Sequence, residues 1–335
     1  VQIVEKEVIV YRDKEEGFRP NGYVDLQYRY YGKTENHKEW NGNDNYSRTQ
    51  LQGKIQMTEN QALDFRVRAY NDLDKETSQN YSEAQKDTAV RLRYFYDHGN
   101  LGDSKVGATS MVRYERNGSQ TLEYRYDLQF ADYMFNNDFV KTTNFVVGPR
   151  YIYEWDSSND NAYTNTLGLY IDIINEFPWG FWTEIEIDGL HYNMYGDAVN
   201  ENGNYRPNDG LKKDGTPDYK DNSLDLSVAA VLHHEANLYS KDKYSLDWAF
   251  EGGYDAYQWH SIDKVETSAK PANYIDDEYE LYAQPSVTLS YQATDFVSLY
   301  ATLGAEYRNW KITAGSEASH WRWQPFGIVG FKTTF

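Results

Sequence analysis

The stretch GIVGFKTTF, residues 327–335, indicates the fold class of this chain. Its side chains alternate, so that Val329, Phe331 and Phe335 share one face while Lys332 projects from the other. Termini are usually loose and polar, and an aromatic-tipped strand at this point is therefore unusual for a soluble protein. A closed barrel in an outer membrane must pair its last strand with its first. We expect such a closing strand here, with Lys332 directed toward a pore.

The composition is that of an exported, strand-rich protein. The 335 residues include 32 Tyr, 14 Phe and 9 Trp but no Cys and only 8 Pro. Mean hydropathy is −0.84, and we find no apolar run of about 18 residues that would predict a transmembrane helix. Many aromatic residues at low hydropathy are typical of strands with one face in lipid. Val1 has the character of mature sequence, so we expect any targeting segment to have been removed.

A period-two pattern begins at residue 20 and predicts an all-β fold. Polar, turn-rich stretches divide it into an even number of segments, as an up-and-down antiparallel barrel with both ends in the periplasm needs. Residues 20–335 are therefore predicted to form a transmembrane β-barrel of about 14 strands. The candidate strands lie near 21–32, 46–57, 62–71, 87–97, 105–116, 120–130, 140–155, 163–175, 181–195, 223–236, 244–259, 277–292, 296–312 and 321–335.

The predicted outer face is apolar in the middle of the strands and aromatic near their ends. One strand places Leu122, Tyr124 and Leu128 outward, and another places Leu299 and Leu303 outward. This layout is typical of an apolar band between two aromatic girdles. A soluble β-sandwich or propeller is the alternative, but strands of roughly 10–16 residues exceed the usual length of about 5–6.

The first 19 residues have a different character and form a separate N-terminal segment. Val1, Val4, Val8 and Tyr11 are spaced like a short heptad pattern, which would suit a self-associating helix. Two other interpretations remain open, a segment folded into the lumen and a periplasmic tail. The β-branched run at residues 8–10 weakens the helical interpretation.

The predicted connections differ in length at the two ends of the barrel. We expect long outer loops at 33–45, 72–86, 196–222 and 260–276, and short inner turns at 58–61, 176–180 and 293–295. Asn117-Gly118 predicts a tight hairpin in place of a third long outer loop. If a segment narrows the pore, the candidates are therefore loop 196–222 and the N-terminal segment.

Charged side chains on the predicted inner faces are divided between the two halves of the barrel. Inward residues line the channel of such a barrel and carry its function. The early strands place a set of arginines there, the basic wall: Arg29, Arg66, Arg68, Arg91, Arg93, Arg113, Arg125 and Arg150. The later strands place a set of carboxylates there, the acidic wall: Asp172, Asp225, Asp247, Glu251, Asp255, Glu278, Glu280 and Glu306. Opposed walls would create a transverse field that orients polar solutes.

The division into two walls is incomplete. Inward charges of the other sign are Asp25, Asp64, Glu115, Glu123, Asp127 and Glu154 in the first half and Arg308, Arg322 and Lys332 in the second. An ordinary polar lumen, in which neighbouring Arg and Glu pair and support the sheet, is therefore the alternative. The clustered arginines favour the field, because they would repel one another unless carboxylates or anions faced them.

Two segments resemble a known family. They are VEKEVIVYRD at residues 4–13 and RPNGYVDLQYRYYG at residues 19–32, and both are similar to the mature N-terminal region of the fusobacterial major outer membrane porin family, FomA. The resemblance implies a trimeric, water-filled, weakly selective diffusion channel in the bacterial outer membrane. It also implies a surface exposed to other cells, and it supplies no residue-level motif for the pore.

The leading hypothesis is thus an outer-membrane porin for ions and small hydrophilic solutes, with lipid and lipopolysaccharide around it and a homotrimer as the expected assembly. A surface adhesin or receptor on a barrel scaffold is the alternative, supported by aromatic loop residues Trp40, Tyr81 and Tyr274. The net charge of −19 argues against a nucleic-acid partner. We predict no enzyme, cofactor or metal site, since the histidines are poorly spaced and a nucleophile with a nearby base is not evident.

Overall fold

The computed structural model describes residues 17–35, 45–73, 88–156, 161–198, 206–262, 264–266, 273–275, 278–310 and 320–335. Most of the N-terminal segment predicted over residues 1–19 lies outside this part, as do Trp40, Tyr81 and the side chain of Tyr274. Residues 17–20 lead into the first strand without regular structure. The interpretations placed on the N-terminal segment and on those aromatic residues stay predictions.

Fourteen long strands form one closed antiparallel barrel in which each strand pairs with its neighbours along the chain. Alternating apolar and polar residues, rich in Tyr, Val and Leu, favour extended backbone with one lipid-facing side. The fourteen strands are β1 (Asn21–Tyr31), β2 (Tyr46–Gln56), β3 (Gln61–Asp72), β4 (Ala89–Asn100), β5 (Gly107–Asn117), β6 (Ser119–Gln129), β7 (Lys141–Trp155), β8 (Tyr163–Glu176), β9 (Phe181–Tyr195), β12 (Asn222–Lys241), β13 (Tyr244–His260), β16 (Glu278–Gln292), β17 (Val297–Trp310) and β18 (His320–Thr334). The predicted fold class is therefore confirmed.

Two small hairpins lie in the long connections outside the barrel. They are β10 (Asn208–Leu211) with β11 (Pro217–Tyr219), and β14 (Lys264–Glu266) with β15 (Asn273–Ile275). The helices found in the described residues are two single 3-10 turns, Ala131–Tyr133 and Pro178–Gly180. No helix in these parts of the chain has the length and apolar character needed to cross a membrane.

The barrel closes between β1 and β18. Leu26 lies opposite Phe331 on the outer face, and Asp25 lies opposite Lys332 on the inner face. Backbone bonds link Gly22 and Phe335 in both directions, at 3.0 and 3.1 Å. This ladder satisfies the edge groups that would otherwise be exposed to lipid. It also directs Lys332 inward, where its ammonium lies 4.5 Å from the centroid of the Tyr23 ring.

The outer surface carries the apolar band expected of a membrane barrel. Leu303 and Val329 are 74% and 56% exposed in the isolated chain, and Leu167 and Leu122 are exposed beside them on other strands. Exposed aromatic side chains lie near the short-turn end (Phe139, Trp179, Tyr244, Phe296 and Phe335) and near the opposite end (Tyr30, Tyr192, Trp259 and Trp321). An apolar band between aromatic girdles around a closed barrel is the architecture of the bacterial outer membrane, so the predicted location is confirmed.

One strand boundary was predicted too short. The sequence places the end of β12 near residue 236, but β12 continues to Lys241. The pairing with β13 contains a bulge between Asn237 and Tyr239, which shifts the faces on which side chains lie. The period-two pattern therefore breaks at a point where the backbone ladder continues.

Candidate functional site in the charged lumen

The strand register places the predicted charged residues on the inner side of the barrel. Neighbouring strands align their alternation, so residues that pair with an inward residue are themselves inward. Every arginine of the basic wall falls on this side, from Arg29 on β1 to Arg150 on β7. The acidic wall runs from Asp172 on β8 to Glu306 on β17. Glu278 begins β16, and its side chain lies outside the described residues.

The arginines of the lumen form directly opposed pairs across neighbouring strands. The pairs are Arg29 with Arg48, Arg66 with Arg91, Arg93 with Arg113, Arg125 with Arg150, and Arg308 with Arg322. Like charges directly opposite each other on one face of a sheet are destabilising. Five such pairs therefore need carboxylates or another source of compensation nearby.

Carboxylates of the same half compensate one group of these arginines. The carboxylate of Asp64 lies 3.2 Å from Arg91 and 3.0 Å from Arg93. The carboxylate of Glu115 lies 3.4 Å from Arg66, and these five side chains are between 14% and 31% exposed. This part of the basic wall is therefore a network of paired charges, as the alternative of an ordinary polar lumen predicts.

A second network is centred on Glu123, whose side chain is 1% exposed. Its carboxylate lies 2.7 Å from Arg113 and 3.5 Å from Arg150. Arg150 also donates to Asp188 at 2.6 Å. Arg125 makes a separate ion pair at 2.7 Å with an aspartate two residues along β6. Burial of a carboxylate between guanidinium groups requires such pairing, because an isolated buried charge is costly.

Arg29, Arg48 and Arg68 differ from the other early arginines. Within the part of the chain that the structure describes, none of the three has a carboxylate within 4.0 Å. Arg68 donates from Nε to the side-chain oxygen of Gln50 at 2.6 Å. Arg29 donates to Gln284 at 3.4 Å. The structure thus divides the basic wall into a compensated and an uncompensated group.

Part of the acidic wall is compensated by a single arginine on β17. Arg308 contacts the carboxylates of Asp255 at 2.5 Å, Glu280 at 2.6 Å and Glu306 at 2.9 Å. Its side chain is 11% exposed. The sequence places Arg308 among the exceptions to the division, and the structure makes it the centre of the carboxylate cluster on the later strands.

Three other carboxylates crowd together on β8 and β9. Oxygens of Asp172, Glu184 and Glu186 all lie within 4.8 Å of one another. Asp172 accepts a bond of 2.5 Å from Asn144, while its second oxygen is buried and has no hydrogen-bond partner. Carboxylate oxygens are the ligands that Ca²⁺ and Mg²⁺ prefer, so this is the place in the described lumen where a divalent cation would find three of them.

The other members of the acidic wall contact neutral groups or histidine. Glu251 accepts a bond of 2.5 Å from the Tyr282 hydroxyl, and Asp247 accepts one of 2.7 Å from Asn237. Asp225 lies 3.1 Å from the ring of a histidine on β13. These carboxylates keep their negative charge without an arginine partner among the contacts described here.

Sequence reasoning missed several lumen residues that the structure shows to be central. Arg48 on β2, and Glu184 and Glu186 on β9, were not among the predicted site residues. Each lies at an alternate position of its strand beside an assigned inward residue, so the same alternation would have found them. His233 and His234 point to opposite faces because they are adjacent in β12, with His233 stacked on Trp182 at 3.4 Å.

The uncompensated arginines and the crowded carboxylates lie across the lumen from each other. The ring order places β3, β4, β5, β6, β7 and β8 between β2 and β9 on one side. On the other side it places β1, β18, β17, β16, β13 and β12, which is again six strands. Arg48 on β2 therefore lies diametrically opposite Glu184 and Glu186 on β9.

Comparison with known proteins finds similarity in overall barrel form. No protein-family model and no curated protein sequence matches the chain. One similar structure is a bacterial polysaccharide outer membrane secretin, with 10% identity over 94% of this chain and 97% of that one and a TM-score of 0.41. An anion-selective porin from Comamonas acidovorans has 10% identity over 95% and 99%, at 0.37. Outer membrane phospholipase A from Escherichia coli has 14% identity over 96% and 93%, at 0.31.

Proposed function

We propose that the protein is a passive outer-membrane porin, which lets ions and small hydrophilic solutes diffuse through a lumen with opposite charge on its two sides. The observation that carries the proposal is the diametrical placement of Arg48 and its uncompensated neighbours against the carboxylates of β8 and β9. Fourteen strands exceed the eight whose interior side chains can fill and fall below the sixteen of wide porins. A water-filled channel of intermediate width is the consequence.

The field between the two sides gives the channel its discrimination. A polar solute would turn its negative end toward β1–β3 and its positive end toward β8 and β9 as it passes. An apolar solute gains nothing from the field and must still displace the water held by the charged side chains, so charged rows favour small hydrophilic molecules. The compensated arginines keep the barrel wall rigid and polar between these two regions.

The resemblance to the fusobacterial major outer membrane porin family supports the same function and extends it to a homotrimer. Lipid and lipopolysaccharide would then surround the exposed part of each barrel, with subunit contacts on the remainder. Cross-linking of the protein in native membranes, followed by denaturing electrophoresis, tests the assembly. Bands at three chain masses are expected, and cross-linked material that stops at one chain mass would refute the trimer.

Reconstitution in planar lipid bilayers tests the channel itself. We expect discrete current steps of uniform size in KCl, because each inserted molecule opens a water-filled path. Purified protein that inserts without current steps would overturn the proposal. The chain as a plugged adhesin scaffold predicts that second outcome.

Charge reversal tests the pore-lining role of the basic wall. Replacing Arg66, Arg68, Arg91 and Arg93 by Glu should shift the reversal potential in a KCl gradient strongly toward cation preference, because eight units of charge change inside the lumen. The matched control replaces Lys105, Lys212, Lys213 and Lys243 by Glu, since these exposed lysines lie outside the barrel strands.

The control should shift the reversal potential much less, because exposed charges are screened within about 10 Å at 0.1 M salt. Current steps of near wild-type size would show that both variants are folded. Replacing the same four arginines by Gln gives a milder series that should shift the potential in the same direction. Equal selectivity of the lumen variants and wild type would refute the assignment.

A further inference from the structure

The three uncompensated arginines lie close together on β1, β2 and β3. Arg29 and Arg48 are directly opposite across the first two strands. Arg68 pairs with Gln50, two residues from Arg48, and so is its diagonal neighbour. Side chains at direct and diagonal positions have Cβ atoms within roughly 5 and 8 Å, well inside the reach of an arginine. The three guanidinium groups therefore share one small region of the lumen.

A nearby carboxylate is kept away from this region by neutral side chains. Asp25 on β1 accepts bonds from Gln52 at 3.1 Å and from the Tyr300 hydroxyl at 2.7 Å. Gln52 in turn accepts a bond of 2.7 Å from Gln50, and Gln50 accepts the bond from Arg68. Two amides thus separate Asp25 from Arg68, in contrast to the direct carboxylate contacts of Arg91 and Arg93. The charge of Arg68 is positioned without being neutralised.

Aromatic rings position the other two arginines in a comparable way. The Arg29 guanidinium lies 4.7 Å from the centroid of Tyr31 and 4.3 Å from that of Phe326. Arg48 lies 5.8 Å from the same Tyr31 ring, which is itself stacked on Tyr46 at 4.2 Å. A ring attracts a cation through its quadrupole but carries no net charge. The Nε atoms of Arg29 and Arg48 are buried and have no hydrogen-bond partner.

An arrangement of this kind is costly unless an anion completes it. Three like charges held by amides and rings repel one another, and the fork of each guanidinium keeps donors that match a carboxylate or a phosphate. We propose that Arg29, Arg48 and Arg68 form an oxyanion-binding station that takes the carboxylate or phosphate group of a small solute on its way through the channel. The proposal rests on the proposed porin function and names the solute class that the lumen retains.

The position of the station suits capture of solutes from outside. Arg29 lies two residues before the end of β1 and Arg48 two residues after the start of β2, so both are near the end of the barrel with the long connections. Arg68 lies slightly deeper, and Arg66 and Arg91 follow below it with their charges already paired. A bound oxyanion would leave a strongly attractive region for one in which carboxylates compete, and it would be released toward the other end.

The test measures block of single-channel current in dilute KCl by three probes: succinate, inorganic phosphate and the neutral succinamide. Wild type should show a saturable reduction of current with succinate or phosphate, and none with succinamide at equal concentration. Arg48→Gln and Arg68→Gln should each raise the half-blocking concentration about tenfold, the loss expected of one charge-assisted hydrogen bond.

The matched control is Arg93→Gln. Arg93 also lies over an aromatic ring, that of Phe95 at 5.6 Å, and its loss changes the formal charge by the same amount, but it is paired with Asp64. We expect it to change the half-blocking concentration by less than about threefold, since partial compensation weakens its pull on an anion. The size of the current step in each variant shows that the barrel is folded; if Arg48→Gln gives no steps, Arg68→Gln carries the test.

The possible results separate the two proposals. Normal current steps without saturable block by either oxyanion would overturn the station and leave the porin intact. An equal effect of Arg93→Gln and Arg48→Gln would also overturn the station, because a diffuse field would then explain the block. Absence of current steps in wild type would overturn the porin function itself.

Discussion

Arg308 joins three strands through its charge, and its surroundings show how far residue-level inference from sequence can go. Alternation alone predicts that Arg308 and Glu306 face inward on β17. It cannot predict that Asp255 and Glu280 reach the same guanidinium, because that depends on the register of β13 and β16 and on side-chain rotamers. The inward face was therefore predictable, while the partition into compensated and uncompensated charges was not.

Loss of Arg308 should destabilise the barrel markedly. Arg308→Gln leaves the carboxylates of Asp255, Glu280 and Glu306 without their shared cation, and we expect a loss of about 2–3 kcal/mol in the free energy of unfolding. This is somewhat below the cost of breaking a fully buried pair, since two of the carboxylates are partly open to water. Unfolding by urea in detergent or lipid, followed by tryptophan fluorescence, measures the change.

Arg206→Gln is the matched control at this scale. Arg206 also contacts two carboxylates, those of Asp197 and Asp221, but both are largely exposed, at 89% and 71%. An exposed pair contributes at most about 1 kcal/mol. If both substitutions lowered stability equally, the buried network around Arg308 would have no special weight.

At the scale of the element, the sequence predicts strands well because each barrel strand has to satisfy two solvents at once. The apolar side meets lipid and the polar side meets water, so alternation persists over nearly the whole of each strand. The prediction failed at the end of β12, where a bulge near Asn237 shifts the faces. Bulges depend on pairing with the neighbouring strand, which a single segment of sequence does not contain.

The β5–β6 hairpin offers a test of the predicted tight turn. Gly118 has a φ of 83°, a conformation that residues with a side chain adopt with strain. Gly118→Ala should therefore lower the free energy of unfolding by about 1 kcal/mol. Urea unfolding in lipid vesicles measures the difference, and the folded barrel can be followed by its reduced electrophoretic mobility on heating.

Gly107→Ala, at the other end of β5, is the control. A Cβ at Gly107 would meet its nearest neighbouring atom at an ordinary 3.6 Å, and the backbone there is not left-handed. The substitution should be neutral or stabilise the protein by up to about 0.5 kcal/mol, through a less flexible unfolded chain. Equal losses for the two variants would show that strain at Gly118 does not determine the turn.

At the scale of the whole molecule, the net charge of −19 conceals an uneven distribution. Ion pairs consume much of the inward charge, including most of the arginines on β3–β7. What remains is concentrated in two regions on opposite sides of the ring, around Arg48 and around Glu184. The channel's behaviour toward ions therefore depends on a few uncompensated groups, and a count of charged residues in the sequence could not identify them.

The apolar band makes a prediction that concerns the barrel in its membrane. Leu303 lies near the middle of β17 and is 74% exposed in the isolated chain, while Leu211 at the end of β10 is 62% exposed in a connection outside the barrel. Leu303→Arg should cost about 2–4 kcal/mol, the range for a cation on the lipid face near the bilayer midplane. Leu211→Arg should change stability by less than about 0.5 kcal/mol, as for an ordinary surface site. Urea titrations of folding into phosphatidylcholine vesicles measure both, and comparable small effects would show that Leu303 does not face the hydrocarbon core.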